Sequence, residues 1–202
     1  MNWRNLLHEI DWSLQNHLTV SAPVIKRRLR DTHRVTSGLT PLQQQRYHEL
    51  ATDYPLTAWP AVCSRQEYLI NLHILDLLDR YLAPASGRGH DIGAGKWAYL
   101  PALLSWSGLS WDAVELDAHR RDWTLATRRA YANDMLRLCG DCHYRARSLR
   151  ELTGRYACVT WFLPYVVPAP LQAARLPARF LSRRNCCGMP GPCCNPVGPC
   201  LW

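Results

Sequence analysis

The stretch His90-Asp91-Ile92-Gly93-Ala94-Gly95-Lys96-Trp97 restricts the possible folds of this chain more than any other. A short apolar approach ends in an acidic residue, two glycines stand one residue apart, and a helical pattern follows. That order describes a strand closing into a tight loop beneath a helix. Glycine is required in such a loop because the backbone takes positive φ and comes close to a ligand. The strand predicted over His90–Ile92 is short, and Gly87 and Gly89 ahead of it weaken it further. Downstream the pattern alternates. A helix is expected over 97–107, with Pro101 in its first turns and Gly108 just past its end. A strand over 111–116 leads to a long helix from Asp117 through Leu138, closed by Gly140, and further strands are expected over 142–149 and 156–163. Such alternation implies parallel βαβ units with right-handed crossovers. The expected class is therefore α/β, a partial doubly wound parallel sheet of about four strands.

The residues before this region read as helices. Trp3, Leu6, Leu7, Ile10, Leu14 and Leu18 recur at helical spacing, which predicts an amphipathic packing helix over 2–18. A second helix is expected over 22–33, with Pro23 in its first turn and Val24, Ile25 and Leu29 as its apolar side. Thr40-Pro41 supplies an N-cap and a proline at the first helical position, so a third helix should run to about Tyr54. After an irregular segment, Ser64-Arg65-Gln66-Glu67 matches a capping box and opens a helix to about Leu82, with Tyr68, Leu69, Leu72, Leu75, Leu78 and Leu82 as its core stripe. The expected organisation is an N-terminal helical extension over 1–63, a sheet domain over 64–184 and a disordered Cys/Pro/Gly tail over 185–202.

A length of 202 residues accommodates one core and demands no second domain. The net charge of +8 admits an acidic partner such as nucleic acid, but its source is 22 arginines against two lysines, Lys26 and Lys96. A cluster such as Lys26-Arg27-Arg28-Leu29-Arg30 can track phosphates; it also solvates an ordinary helix face, and that plainer reading is preferred. Arg4, Glu9 and Asp11 interrupt any N-terminal targeting segment, and the apolar run 157–171 is broken by Pro164, Pro168 and Pro170, so a cytoplasmic protein without a membrane span is expected. No metal site is expected: His90, His119 and His143 lack ligand spacing, and Cys139-Gly-Asp-Cys142 has no companion pair and reads as a loop with two free thiols.

Gly93-x-Gly95-x-x-Ala98 also satisfies a dinucleotide fingerprint, and Glu115, twenty residues beyond Gly95, lies where a ribose would be held. Asp91 separates the alternatives, because an anion two residues before the first glycine is unfavourable beside a pyrophosphate. Asp91-x-Gly93-x-Gly95, with Glu115 ending the next strand, resembles class I S-adenosylmethionine-dependent methyltransferases. Trp111-Asp112-Ala113-Val114-Glu115-Leu116-Asp117 looks like the second strand of that family, and 156–165 looks like its fourth; the resemblance covers about residues 64–184. It implies S-adenosylmethionine as cofactor, with Asp91, Gly93, Ala94 and Gly95 around the methionine end and Glu115 on the ribose hydroxyls. Trp161, Phe162, Pro164 and Tyr165 would form the wall of the transfer site. No catalytic residue is assigned, and the methyl acceptor is open. An NAD-dependent oxidoreductase and a non-catalytic fragment or interaction module are the competing readings.

The chain also departs from that family. Ser148 stands where many members carry an acidic residue for the adenine, and Phe162-Leu163-Pro164-Tyr165 replaces the signature of amino-group methylation. After Arg184 the composition switches abruptly to Asn185-Cys186-Cys187-Gly188-Met189-Pro190, in a stretch where five cysteines fall within the last seventeen residues. The expectation is a truncated or frame-shifted product lacking the later strands, with impaired cofactor binding.

Overall fold

The computed structural model describes residues 3–83, 86–148 and 155–162. Residues 15–163 form the larger of two compact units, and residues 3–14 belong to the other. The architecture is α/β: strands β1 (Arg88–Ile92), β2 (Ser110–Val114), β3 (His143–Arg145) and β4 (Cys158–Thr160) make one all-parallel sheet in the order β3-β2-β1-β4. The chain builds outward from β1 to β2 and β3, then returns to the opposite side of β1 for β4. The change of direction falls between β1 and β4, where open parallel sheets leave a crevice at the carboxyl ends of the strands.

β1 is two residues longer than expected at its start, and Gly89 accounts for this. A Cβ there would lie 2.5 Å from the Trp111 ring, so the missing side chain lets the fully buried indole of β2 cross directly over β1. A glycine that ordinarily weakens a strand here allows the packing that holds it.

Helix α1 (Trp3–His17) forms as its periodicity requires, yet Trp3, Leu7, Ile10 and Leu14 remain exposed. The helix expected over 22–33 is replaced by an extended strap. Its backbone bonds to the start of the next long helix instead of to itself, through Leu29 N–H to Cys63 O at 2.8 Å and an antiparallel bridge between Arg28 and Ser64. Lys26 pulls the strap inward to Glu67 and Asp134 at 3.4 and 3.1 Å. Only α2 (His33–Thr36) is helical nearby.

Helix α3 (Pro41–Asp53) begins at Thr40, whose hydroxyl accepts from Gln43 N–H while the Gln43 side chain returns to the Thr40 amide. Helix α4 (Arg65–Tyr81) begins at the capping box read in the sequence, with Ser64 N–H donating to Glu67 at 2.7 Å. Its buried stripe is Tyr68, Asn71, Leu72, Leu75 and Leu78; Leu69 and Leu82 are exposed, since the helical turn carries them away from that face. Arg46 joins α3 to α4 by reaching Asp76 at 2.6 Å and Asp79 at 2.5 Å. Helix α5 (Leu100–Ser107) closes on Gly108 at φ +62. One core contains Val35, Leu50 and Trp59 together with Leu75, Leu103 and Trp111, so residues on both sides of position 63 share it.

The long helix expected over 117–138 is reduced to α6 (Arg128–Met135) and one 3-10 turn over Leu136–Leu138. Residues 117–127 are a loop because local polar groups compete for the backbone: Asp122 accepts from Thr124 N–H at 2.9 Å, Leu125 takes φ +64, and Thr127 caps α6 through Ala130 N–H. β3 and β4 are shorter than expected. Among the described residues no helix is long and apolar enough to cross a membrane.

Candidate functional site

The carboxyl ends of β1 and β4, where this topology places a crevice, collect most of the residues singled out in the sequence. Alternation along β1 turns successive side chains to opposite faces of the sheet. His90 is buried against the Tyr156 ring, with centroids 4.4 Å apart, while Asp91 faces the other way. Asp91 is fully buried and accepts two hydroxyls, Thr160 Oγ1 at 2.6 Å from β4 and Tyr99 Oη at 2.8 Å from beyond the glycine turn. Burial pushes its carboxyl up to about 7 against the opposing effect of Thr160, Tyr99 and the Trp97 indole; the neighbouring Glu115 charge pushes it up further. The Trp97 nitrogen favours the charged form without reaching hydrogen-bonding geometry. Burial, followed by the Asp91 charge, raises the Tyr99 phenol well above its ordinary range, so Tyr99 remains a donor.

The turn itself is held from three sides. Gly93 and Ala94 N–H both donate to Val114 O of β2, at 2.9 and 3.3 Å. Gly95 N–H donates to Glu115 Oε2 at 2.7 Å, and Gly95 O accepts from Tyr144 Oη of β3 at 2.6 Å. Trp97 N–H returns to Ala94 O at 2.8 Å. Gly93, Gly95 and Trp97 take φ of +69, +58 and +52, a conformation costly for tryptophan that persists because the indole is fully buried. This left-handed residue delays the helix to Leu100, so α5 begins five residues past Gly95 rather than at Trp97.

Glu115 is almost fully buried at the end of β2. Oε2 takes the Gly95 amide; Oε1 takes the Asp117 amide at 2.8 Å and Arg128 Nη1 at 3.3 Å. A carboxylate offers about four acceptor sites. Protein donors fill three of them, and the Arg128 contact is the longest and most readily exchanged.

Trp161, directly after β4, brings its indole nitrogen to within 3.8 Å of the point where a Cβ on Gly93 would lie. Phe162 meets the Tyr99 ring edge-on at 4.7 Å. Asp91, Gly93, Ala94, Gly95, Glu115, Trp161 and Phe162 are thus assembled around one turn. Pro164, Tyr165 and the Cys/Pro/Gly tail lie outside the described residues.

Asn71 was not legible as a site-supporting residue because it sits in an otherwise apolar helical stripe. Fully buried on α4, it donates to Ala98 O at 2.6 Å and accepts from Ala102 N–H at 2.8 Å, linking α4 to the chain leaving the turn. Its polarity within the stripe was the only available signal. Away from the crevice, Cys139 and Cys142 are free thiols with their sulfurs 2.9 Å apart.

Comparison of the chain with protein-family models, curated proteins and solved structures finds no match.

Proposed function

We propose that the chain binds S-adenosylmethionine in the crevice between β1 and β4 and directs its methyl group to an acceptor presented beside Trp161 and Phe162. The observation that carries this reading is the combination of a buried carboxylate beneath the turn with a turn whose amides are already engaged. Gly93, Ala94, Gly95 and Trp97 all donate within the protein, and α5 starts too late to aim its first amides at the loop. A pyrophosphate needs such amides and is repelled by Asp91 and Glu115. A cationic ligand with a ribose, and without phosphate, meets neither obstacle. Asp91 offers negative charge to its ammonium and sulfonium end, and Glu115 accepts a ribose hydroxyl where Arg128 now sits.

When bound, the cofactor would supply an electrophilic methyl group. The chain's contribution is positioning: Tyr99 and Thr160 hold Asp91, Tyr144 and Glu115 hold the turn, and Trp161 and Phe162 shield the approach.

Calorimetric titration with S-adenosylhomocysteine and with NAD tests the proposal. Binding of the first alone supports it, binding of NAD alone supports an oxidoreductase, and binding of neither supports a non-catalytic module. Glu115→Ala should weaken binding of S-adenosylhomocysteine at least tenfold, and unchanged affinity would remove Glu115 from the site.

A further inference from the structure

The extended strap over 19–32 creates something a helix would not. With α2 and the first residue of α4 it borders an open cavity of about 1000 Å³ whose lining includes Lys26, Arg27, Arg28, Arg30, Arg34 and Arg65. Two of these cations hold the strap down: Lys26 lies between Glu67 and Asp134, and Arg28 reaches Asp134 at 2.7 Å. Arg27, Arg30, Arg34 and Arg65 are exposed and have no carboxylate partner among the described residues. The one acidic lining residue, Asp31, accepts from His33 N–H at 2.9 Å. Four guanidinium groups outside any ion pair therefore face a single carboxylate, Asp31, in one cavity.

The glycine turn and the cavity share α4: Asn71 touches Ala98 and Ala102 just past the turn, and Arg65 at the start of the same helix lines the cavity. Arg65 is six residues nearer the start of α4, roughly 9 Å of helix beyond that contact. A second feature lies between the turn and the strap. Trp123 is 92% exposed on the loop between β2 and α6. On one side of it, Asp122 holds Lys96 of the turn at 2.8 Å; on the other, Leu125 O accepts Ala22 N–H of the strap at 3.2 Å.

We propose that the cavity binds the phosphate backbone of a single-stranded polynucleotide, with Trp123 as a stacking surface for one of its bases. Guanidinium forks suit phosphodiester oxygens, and an open indole suits a base that is not already stacked in a duplex. Four separated guanidiniums and an indole exceed what one phosphate group can engage. Resting on the methyl-transfer reading above, the polynucleotide is also the class of methyl acceptor.

The test is fluorescence anisotropy of the full chain with a labelled single-stranded RNA of about 20 nucleotides, over a series of KCl concentrations. The expected result is a micromolar or tighter Kd at about 0.1 M salt, with a slope of log affinity on log salt near −3 for four phosphate contacts, at roughly −0.7 each. The variant R27Q/R30Q/R34Q/R65Q should lose at least tenfold in affinity and most of that slope; Trp123→Ala should lose affinity with the slope unchanged. If the quadruple variant melts early, R30Q/R34Q, altering two exposed side chains, should show about half the change in slope. Absence of RNA binding, or binding that all these variants retain in full, overturns the proposal. Binding to vesicles rich in phosphatidylserine with none to RNA overturns it in favour of a membrane surface. S-adenosylhomocysteine titration separates the two readings: RNA binding without it leaves the cavity standing and removes the methyl transfer, and the converse removes only the cavity.

Discussion

Replacing Asp91 by Asn should make the free protein more stable at alkaline pH while weakening its hold on the cofactor. The carboxyl is fully buried, and its pKa rises from the ordinary 3.8 to about 7. An acid whose folded pKa lies above its unfolded value binds its proton more tightly in the folded state. Wild-type stability therefore falls through the window from about 4 to about 7 by roughly 1.4 kcal/mol per pH unit, and levels off above it. The ionised carboxylate costs about 4 kcal/mol at pH 8. Asn keeps the shape and can still pair with Thr160 and Tyr99, whose hydroxyls both donate and accept, at a loss of about 1 kcal/mol. The net gain at pH 8 is on the order of 2–3 kcal/mol, or roughly 4–12 °C in Tm for a chain of this size. Near pH 4, where the buried carboxyl is protonated, the order reverses and the variant is the less stable by about 1 kcal/mol. Urea unfolding of both at pH 4, 6 and 8 measures the difference directly, and pH effects of other groups cancel in the comparison. Equal stability at pH 8, or a deficit for the variant that does not change with pH, refutes the account of Asp91. In the same samples, wild-type affinity for S-adenosylhomocysteine should rise with pH through about 7, while the variant binds more weakly and without that dependence.

Two packing predictions need only a denaturation curve. Gly89→Ala drives a methyl group into the Trp111 ring and should cost about 1–3 kcal/mol, whereas Gly38→Ala, whose Cβ meets nothing closer than 3.6 Å, should stay within about 0.5 kcal/mol of wild type. Asn71→Leu leaves Ala98 O and Ala102 N–H without their buried partner and should cost about 2–4 kcal/mol; a stable, fully active Asn71→Leu protein would show that α4 does not support the turn.

The parallel sheet and the two capped helices were legible because their signals are local. Ser64 and Glu67 satisfy each other within one turn, and the alternation of short strands with helical stretches after the glycine turn leaves few alternatives to a parallel sheet. The failures occurred where distant groups decide. Residues 22–33 have helical spacing, but Glu67 and Asp134 capture Lys26 and Arg28, which no local pattern announces. Residues 117–127 lose their helix to Asp122, Thr124 and a contact with Lys96. Around the turn, Asp91, the glycines and Glu115 were visible as residue types at a spacing. Their partners Tyr99, Tyr144, Thr160 and Asn71 come from other elements and were not, because register across a sheet is a tertiary property.

The pinning of the turn also has a calorimetric consequence. Gly93, Gly95 and Trp97 already occupy the left-handed region, fixed by β2, β3 and α4. The backbone freedom that a loose loop would surrender on meeting its ligand, about 1–2 kcal/mol per residue, is removed when the chain folds. Ligand binding here should therefore carry little conformational entropy penalty, and its association rate should be set by diffusion and by release of Arg128 rather than by loop closure.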